Sequence, residues 1–119
     1  MELQIIVKLM DKKMAELADL QKELITRIDQ RASAIGEHSK NLAKRMMELQ
    51  QGKTFMLDGI KVECTTATNL KKYAEGLCYQ ERINMELADM SYWAVKSNIE
   101  VLQTQISALQ SQYKVQNEK

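Results

Sequence analysis

Thr54-Phe55-Met56-Leu57-Asp58-Gly59-Ile60-Lys61-Val62-Glu63 is the stretch on which the fold turns. Asp-Gly between two short β-forming runs is the signal of a two-residue primed turn, since both central positions must accept φ > 0. With Asp58-Gly59 as the loop, Leu57 faces Ile60 and Phe55 faces Val62 on one side of the ribbon. Met56 faces Lys61 and Thr54 faces Glu63 on the other. One side is wholly apolar and the other mostly polar, as a half-covered hairpin requires. A β-hairpin is predicted over about 54–63.

Outward from it on both sides the hydrophobic period changes to that of a helix. From about 3 to 51, Leu3, Val7, Met10, Met14, Leu17, Leu24 and Ile28 alternate steps of three and four, with a gap at Gln21. Beyond Ile28 the stripe drifts to Ala32, Ile35, Leu42, Met46 and Leu49, because Arg31, His38 and Arg45 occupy the older positions. Gly52 suits the position just past a helix end. A second helix is predicted over about 68–116, with threonines 65, 66 and 68 available as N-caps. It carries two stripes: Ile83, Leu87, Met90 and Ala94, then Val95, Ile99, Leu102, Ile106, Leu109 and Tyr113 on a different face. Between Ile83 and Val95, which includes Trp93, the helix is apolar nearly all round. A two-helix hairpin covers one face of each helix, so that stretch asks for further partners.

Composition agrees with long helices. Proline is absent, there are only four glycines, and aromatic residues are 5% of the chain. The fold class expected is mainly α: a long antiparallel helical hairpin, coiled-coil-like, with a short β-hairpin at its tip, assembling as an oligomer. Residues 1–119 read as a single domain. Gly36 and Gly76 are the places where either rod would break.

Net charge is +1, so no global field steers the chain onto nucleic acid or an anionic membrane. Charge is nonetheless uneven. Residues 38–72 hold Lys40, Lys44, Arg45, Lys53, Lys61, Lys71 and Lys72 against Glu48, Asp58 and Glu63. This basic region lacks the interleaved aromatics of specific nucleic-acid readout. No apolar stretch approaches the ~20 residues of a membrane span. The first residues carry Glu2 where a secretory leader needs basic groups. Two cysteines, Cys64 and Cys78, make no disulfide framework, and a cytoplasmic location with reduced thiols is expected.

Chemistry is excluded motif by motif. His38 is the only histidine, and its spacing from Cys64 and Cys78 matches no zinc pattern. There is no nucleophile elbow, and the glycines are too scattered for a phosphate loop. Acid pairs such as Asp19 with Glu23 read as helix-surface charges. The chain reads as non-enzymatic, with no cofactor and no metal. Its methionines suit adaptable packing, with Met47 and Met56 the better placed for a client.

The layout is similar to that of a β-type prefoldin subunit, with antiparallel helices of similar length joined by a β-hairpin near mid-chain. Gly52-Lys53-Thr54-Phe55-Met56-Leu57-Asp58-Gly59-Ile60-Lys61-Val62 is loosely similar to that family's hairpin, whereas Trp93 and its apolar surroundings depart from the pattern. The resemblance implies hairpins that assemble and helices that hold clients. The function expected is that of an assembly chaperone or scaffold presenting apolar surfaces to itself and to another protein. Phe55, Met56, Leu57, Ile60 and Val62 would meet the partner. Ile83, Leu87, Met90, Trp93, Val95, Ile99, Leu102, Ile106, Leu109 and Tyr113 would form the oligomer. The rival is a small regulatory inhibitor docking on an enzyme or nucleic-acid complex through basic residues including Lys71 and Lys72.

Overall fold

A computed structural model describes residues 2–64 and 66–118 and is mainly helical, at 84%. Helix α1 runs Leu3–Gln50, strand β1 Phe55–Leu57 and strand β2 Ile60–Val62. A 3-10 turn at Ala67–Asn69 then leads into α2 (Leu70–Leu77) and α3 (Tyr79–Asn117).

The hairpin has the register read from its sequence: Phe55 opposite Val62, Met56 opposite Lys61 and Leu57 opposite Ile60, antiparallel. Asp58 and Gly59 take φ of 50° and 78°, the double left-handed step of a type I′ turn. The strands are three residues each, so Thr54 and Glu63 lie beyond the ladder. Phe55, Leu57 and Val62 are half-buried, but Ile60 remains 69% exposed and Met56 67%.

The end of α1 is a Schellman motif around Gly52, whose φ is +86°. The Gly52 N–H donates to Leu49 O at 3.0 Å and the Lys53 N–H to Glu48 O at 3.0 Å. Gly36, by contrast, sits inside the unbroken helix. The second helix does break, at Cys78 rather than at Gly76. Cys78 takes φ −98° and ψ 24°, and its N–H is shared between Ala74 O at 3.0 Å and Glu75 O at 3.2 Å. A glycine two residues earlier lowers helix propensity there, and the buried Cys78 side chain holds the altered backbone in place. Nor do the threonines cap a helix as expected. Thr66 precedes the 3-10 turn without a side-chain cap bond, Thr68 lies within the turn, and Thr65 is outside the described residues.

Two compact units are distinguishable, Met1–Asp29 with Met90–Lys119, and Gln30–Asp89. Within the first, buried or half-buried positions on α1 include Ile6, Met10, Lys13, Leu17, Leu20, Leu24 and Arg27, with Leu3, Leu9 and Glu16 half-buried beside them. On α3 they include Tyr92, Val95, Ile99, Leu102, Ile106, Leu109 and Gln116. The first set, and the second as far as Leu109, step alternately by four and three, the spacing of a two-helix zipper. Ile6 lines one groove with Val115 and Leu20 lines another with Leu102, so the helices run antiparallel.

This corrects the stripe expected for α1. Leu3, Met10, Leu17 and Leu24 do turn inward, but Val7, Met14 and Ile28 stay exposed, and Ile6 and Leu20 take the second line. Two paired helices cover two lines of residues each, and α1 carries three apolar lines; one is left outside.

Within Gln30–Asp89 the inward side of α1 is mixed: Arg31, His38, Asn41, Arg45 and Glu48 are half-buried beside Ala34, Leu42 and Met46, and Leu49 is buried, whereas Ala32 and Ile35 of the expected later stripe stay exposed. Two polar contacts join it to the start of α3. Arg31 Nε lies 2.8 Å from Asp89 Oδ1, and Asn41 Nδ2 donates to Glu81 Oε1 at 3.2 Å. The buried apolar residues of this unit, Leu49, Ala74 and Cys78, come from the end of α1 and from α2 with its C-cap.

Candidate functional site

Two surfaces were expected to carry function, and their surroundings differ. The first lies around the hairpin. Phe55 of β1 lies against two cations from α1 and its C-terminal turn: the Arg45 guanidinium carbon lies 4.7 Å from the ring centroid and Lys53 Nζ 5.4 Å. The same two cations converge on Glu48, Lys53 Nζ at 2.8 Å and Arg45 Nη1 at 3.3 Å. The hydrogen bond from Lys53, reinforced by the charges of Lys53, Arg45 and Lys44, lowers the Glu48 pKa below its ordinary value against the opposing effect of burial. Arg45, Glu48, Lys53 and Phe55 therefore form one cluster that ties the hairpin to the end of α1.

That cluster reduces the basic region available to a partner. Arg45 and Lys53 are spent on Glu48 and Phe55, Lys61 lies 3.6 Å from Glu63, and Lys71 lies 3.9 Å from Glu75. Lys40, Lys44 and Lys72 make no ion pair among the described residues. The sequence gives Phe55 its apolar partner Val62 but no hint of the two cations on its face. An i to i+3 Arg45–Glu48 spacing just before a glycine cap was the available signal.

The second surface lies on α3. The structure separates the two stripes of the sequence cleanly. Val95, Ile99, Leu102 and Ile106 are 6–8% exposed and are covered by the chain itself. Leu109 is half-buried, and Tyr113 is exposed beside Leu3, Val7 and Lys8. Ile83, Leu87, Met90 and Trp93 remain open at 43%, 55%, 67% and 48% exposure. Trp93 packs edge-on to Tyr92, ring centroids 5.2 Å apart, and carries Lys96 Nζ over its face at 4.8 Å. Its indole is thus half-covered by its own helix.

Cys78 is buried, and desolvation, helped by the Glu81 charge and opposed by Arg45, raises its thiol pKa. A thiol held protonated is a poor nucleophile and a poor ligand. Cys64 is half-buried and donates to Thr66 O at 3.0 Å. Among the described residues, no three His, Cys, Asp or Glu side chains gather as metal ligands would. No described helix is long and apolar enough to cross a membrane. Beside α3, one groove is lined by Ser97, Glu100, Val101, Thr104 and Gln105, and another by Leu20, Asn98, Val101 and Leu102 with two carboxylates, Glu16 and Asp19, one turn apart on α1. Comparison with known proteins finds no matching family model, no matching curated protein and no matching solved structure.

Proposed function

We propose that the chain is a non-enzymatic helical scaffold or assembly chaperone that oligomerises through α3 and offers its hairpin to a partner protein. The observation that carries this reading is the apolar side chains that α3 leaves about half or more exposed in each unit, Ile83 and Leu87 in Gln30–Asp89 and Met90 and Trp93 in the other. At the hairpin, Ile60 is exposed on one face of the ribbon and Met56 on the other, so the tip offers a partner a smaller apolar contact on either side. A cytoplasmic location belongs to the same reading, on the ground of two unbridged cysteines.

The rival, a regulator docking through basic residues, has less support, because Arg45 and Lys53 are engaged with Glu48 and Phe55 within the chain. The test is column mass determination on the wild type with two variants, Trp93→Asp and the pair Met56→Asp with Ile60→Asp. The scaffold reading expects a mass above one chain, lowered by the first variant and untouched by the second, which instead loses captured protein. A monomeric wild type overturns it. Loss of partner binding on Lys71→Glu with Lys72→Glu, at unchanged mass, would establish the rival. Ile99→Asp does not serve as an oligomer test, because Ile99 is buried inside the chain and a charge there unfolds it.

A further inference from the structure

We propose that Arg45 couples the seating of the β-hairpin to the burial of Cys78, so that lifting the hairpin off α1 opens the helix break between α2 and α3. The coupling is a conformational device of the tip and goes beyond the oligomeric reading above. Every residue it uses lies within Gln30–Asp89.

Helical spacing puts Asn41, Arg45 and Glu48 on one face of α1, and each reaches a different part of the chain. Asn41 Nδ2 donates to Glu81 Oε1 of α3 at 3.2 Å. Glu48 accepts from Lys53 Nζ at 2.8 Å, across the end of the helix. Arg45 stands between them. Its Nη1 donates to both Glu48 carboxylate oxygens, at 3.3 and 3.4 Å, and its guanidinium carbon lies 4.7 Å from the centre of the Phe55 ring. Its charge also acts on Cys78: burial raises the thiol pKa, Glu81 adds to that, and Arg45 opposes both. One cation thus stands within reach of the hairpin and of the helix break.

Both of those parts have little else to hold them. Among the described residues, the hydrogen bonds, ion pairs and ring contacts that join the two strands to α1 and its C-terminal turn all pass through Phe55. The strands are three residues each, and a two-stranded hairpin is marginal by itself. At the break, the Cys78 N–H is shared between Ala74 O and Glu75 O, and the buried side chains there, Ala74 and Cys78, are small. Small side chains bury little apolar area, so local opening at this point is cheap. An Arg45 released from Phe55 turns toward solvent with Glu48, and its aliphatic stem leaves the side of Cys78. The link runs in both directions: opening at Cys78 loosens the hairpin as much as lifting the hairpin loosens the break. A partner protein that grips Phe55 therefore unlocks the break as well.

The experiment follows alkylation of Cys78 by iodoacetamide under native conditions, in the full-length chain carrying Cys64→Ser, with helix content checked by circular dichroism. Phe55→Ala is expected to raise the Cys78 rate about tenfold, through the loss of two cation–ring contacts. Met56→Ala, on the other face of the ribbon and exposed, is expected to change it by less than about twofold. Arg45→Gln is also expected to raise the rate, although losing its charge alone would lift the thiol pKa further and slow the reaction. Added to Arg45→Gln, Phe55→Ala is expected to contribute less than about a further twofold, because the link is already cut. General loosening of the fold would instead multiply the two effects. An unchanged Cys78 rate in Phe55→Ala, or full multiplication in the double variant, overturns the coupling. Where Phe55→Ala lowers helix content, Phe55→Leu, which keeps an apolar side chain and removes the ring, is read by the same criteria.

Discussion

Glu48 accepts a 2.8 Å hydrogen bond from Lys53 Nζ while its backbone carbonyl accepts the Lys53 N–H at 3.0 Å. The two residues are thus bonded twice across the glycine that ends α1. A Schellman end is usually closed by an apolar contact between these positions. Here an ion pair takes its place, and the same lysine also lies over Phe55. The transition from helix to hairpin is therefore held electrostatically.

That arrangement predicts an acid-sensitive hairpin. The Glu48 pKa is lower folded than unfolded, so its contribution is fully present above the ordinary carboxylate range and is lost as pH falls through the lowered folded value. Amide exchange of the 52–62 segment, corrected for intrinsic pH dependence, is expected to accelerate below about pH 4. In Glu48→Gln the hairpin is expected to be less protected at neutral pH and to lose this acid dependence.

The glycines separate by backbone conformation. Gly36 lies within α1 with open space where a Cβ would stand, so Gly36→Ala is expected to stabilise by about 0.5–1 kcal/mol. Gly52, at φ +86°, also has open space but the wrong backbone, and Gly52→Ala is expected to cost about 1–2 kcal/mol. Urea unfolding of the two variants measures both signs.

The two stripes of α3 should respond oppositely to truncation. Leu102→Ala removes a side chain covered within the chain and is expected to cost about 2–4 kcal/mol in denaturant unfolding. Met90→Ala removes one that is 67% exposed and is expected to change the stability of a dissociated chain by less than about 0.5 kcal/mol. Measurements at low protein concentration keep association out of the comparison.

The polar contacts within Gln30–Asp89 are expected to be weak pair by pair. Arg31 and Asp89 approach to 2.8 Å, yet their side chains are 35% and 44% exposed. A double-mutant cycle with Arg31→Gln and Asp89→Asn is expected to give a coupling of about 0.5 kcal/mol. Amide exchange near Ala34 and Met85 should then be faster than near Leu20 and Leu102, where apolar residues fill the seam.

Thiol labelling provides a separate check. Cys78 is buried and its pKa is raised, whereas Cys64 is only half-buried. Iodoacetamide is expected to modify Cys64 first, with Cys78 protected until the chain opens.

Local signals in the sequence determined the local elements. Asp58-Gly59 permits two consecutive left-handed residues, Gly52 permits one, and the apolar alternation beside them sets the hairpin register; none of this depends on distant contacts. The apolar row Val95–Ile106 was likewise readable, because its period needs no partner to be recognised. What it packs against was a tertiary matter. An apolar line on a helix is the same whether its own chain or another covers it, so the sequence could not assign Val95, Ile99, Leu102 and Ile106 to the chain's interior. On α1 three apolar lines competed for a seam two lines wide, and the geometry of the opposite helix chose Ile6 and Leu20 over Val7 and Met14. The cations on Phe55 and the polar contacts Arg31–Asp89 and Asn41–Glu81 likewise arise only when folding brings separate segments together. Spacing along one chain encodes periodicity, but which charged groups meet depends on how helices are rotated about their axes, and that rotation is set by packing.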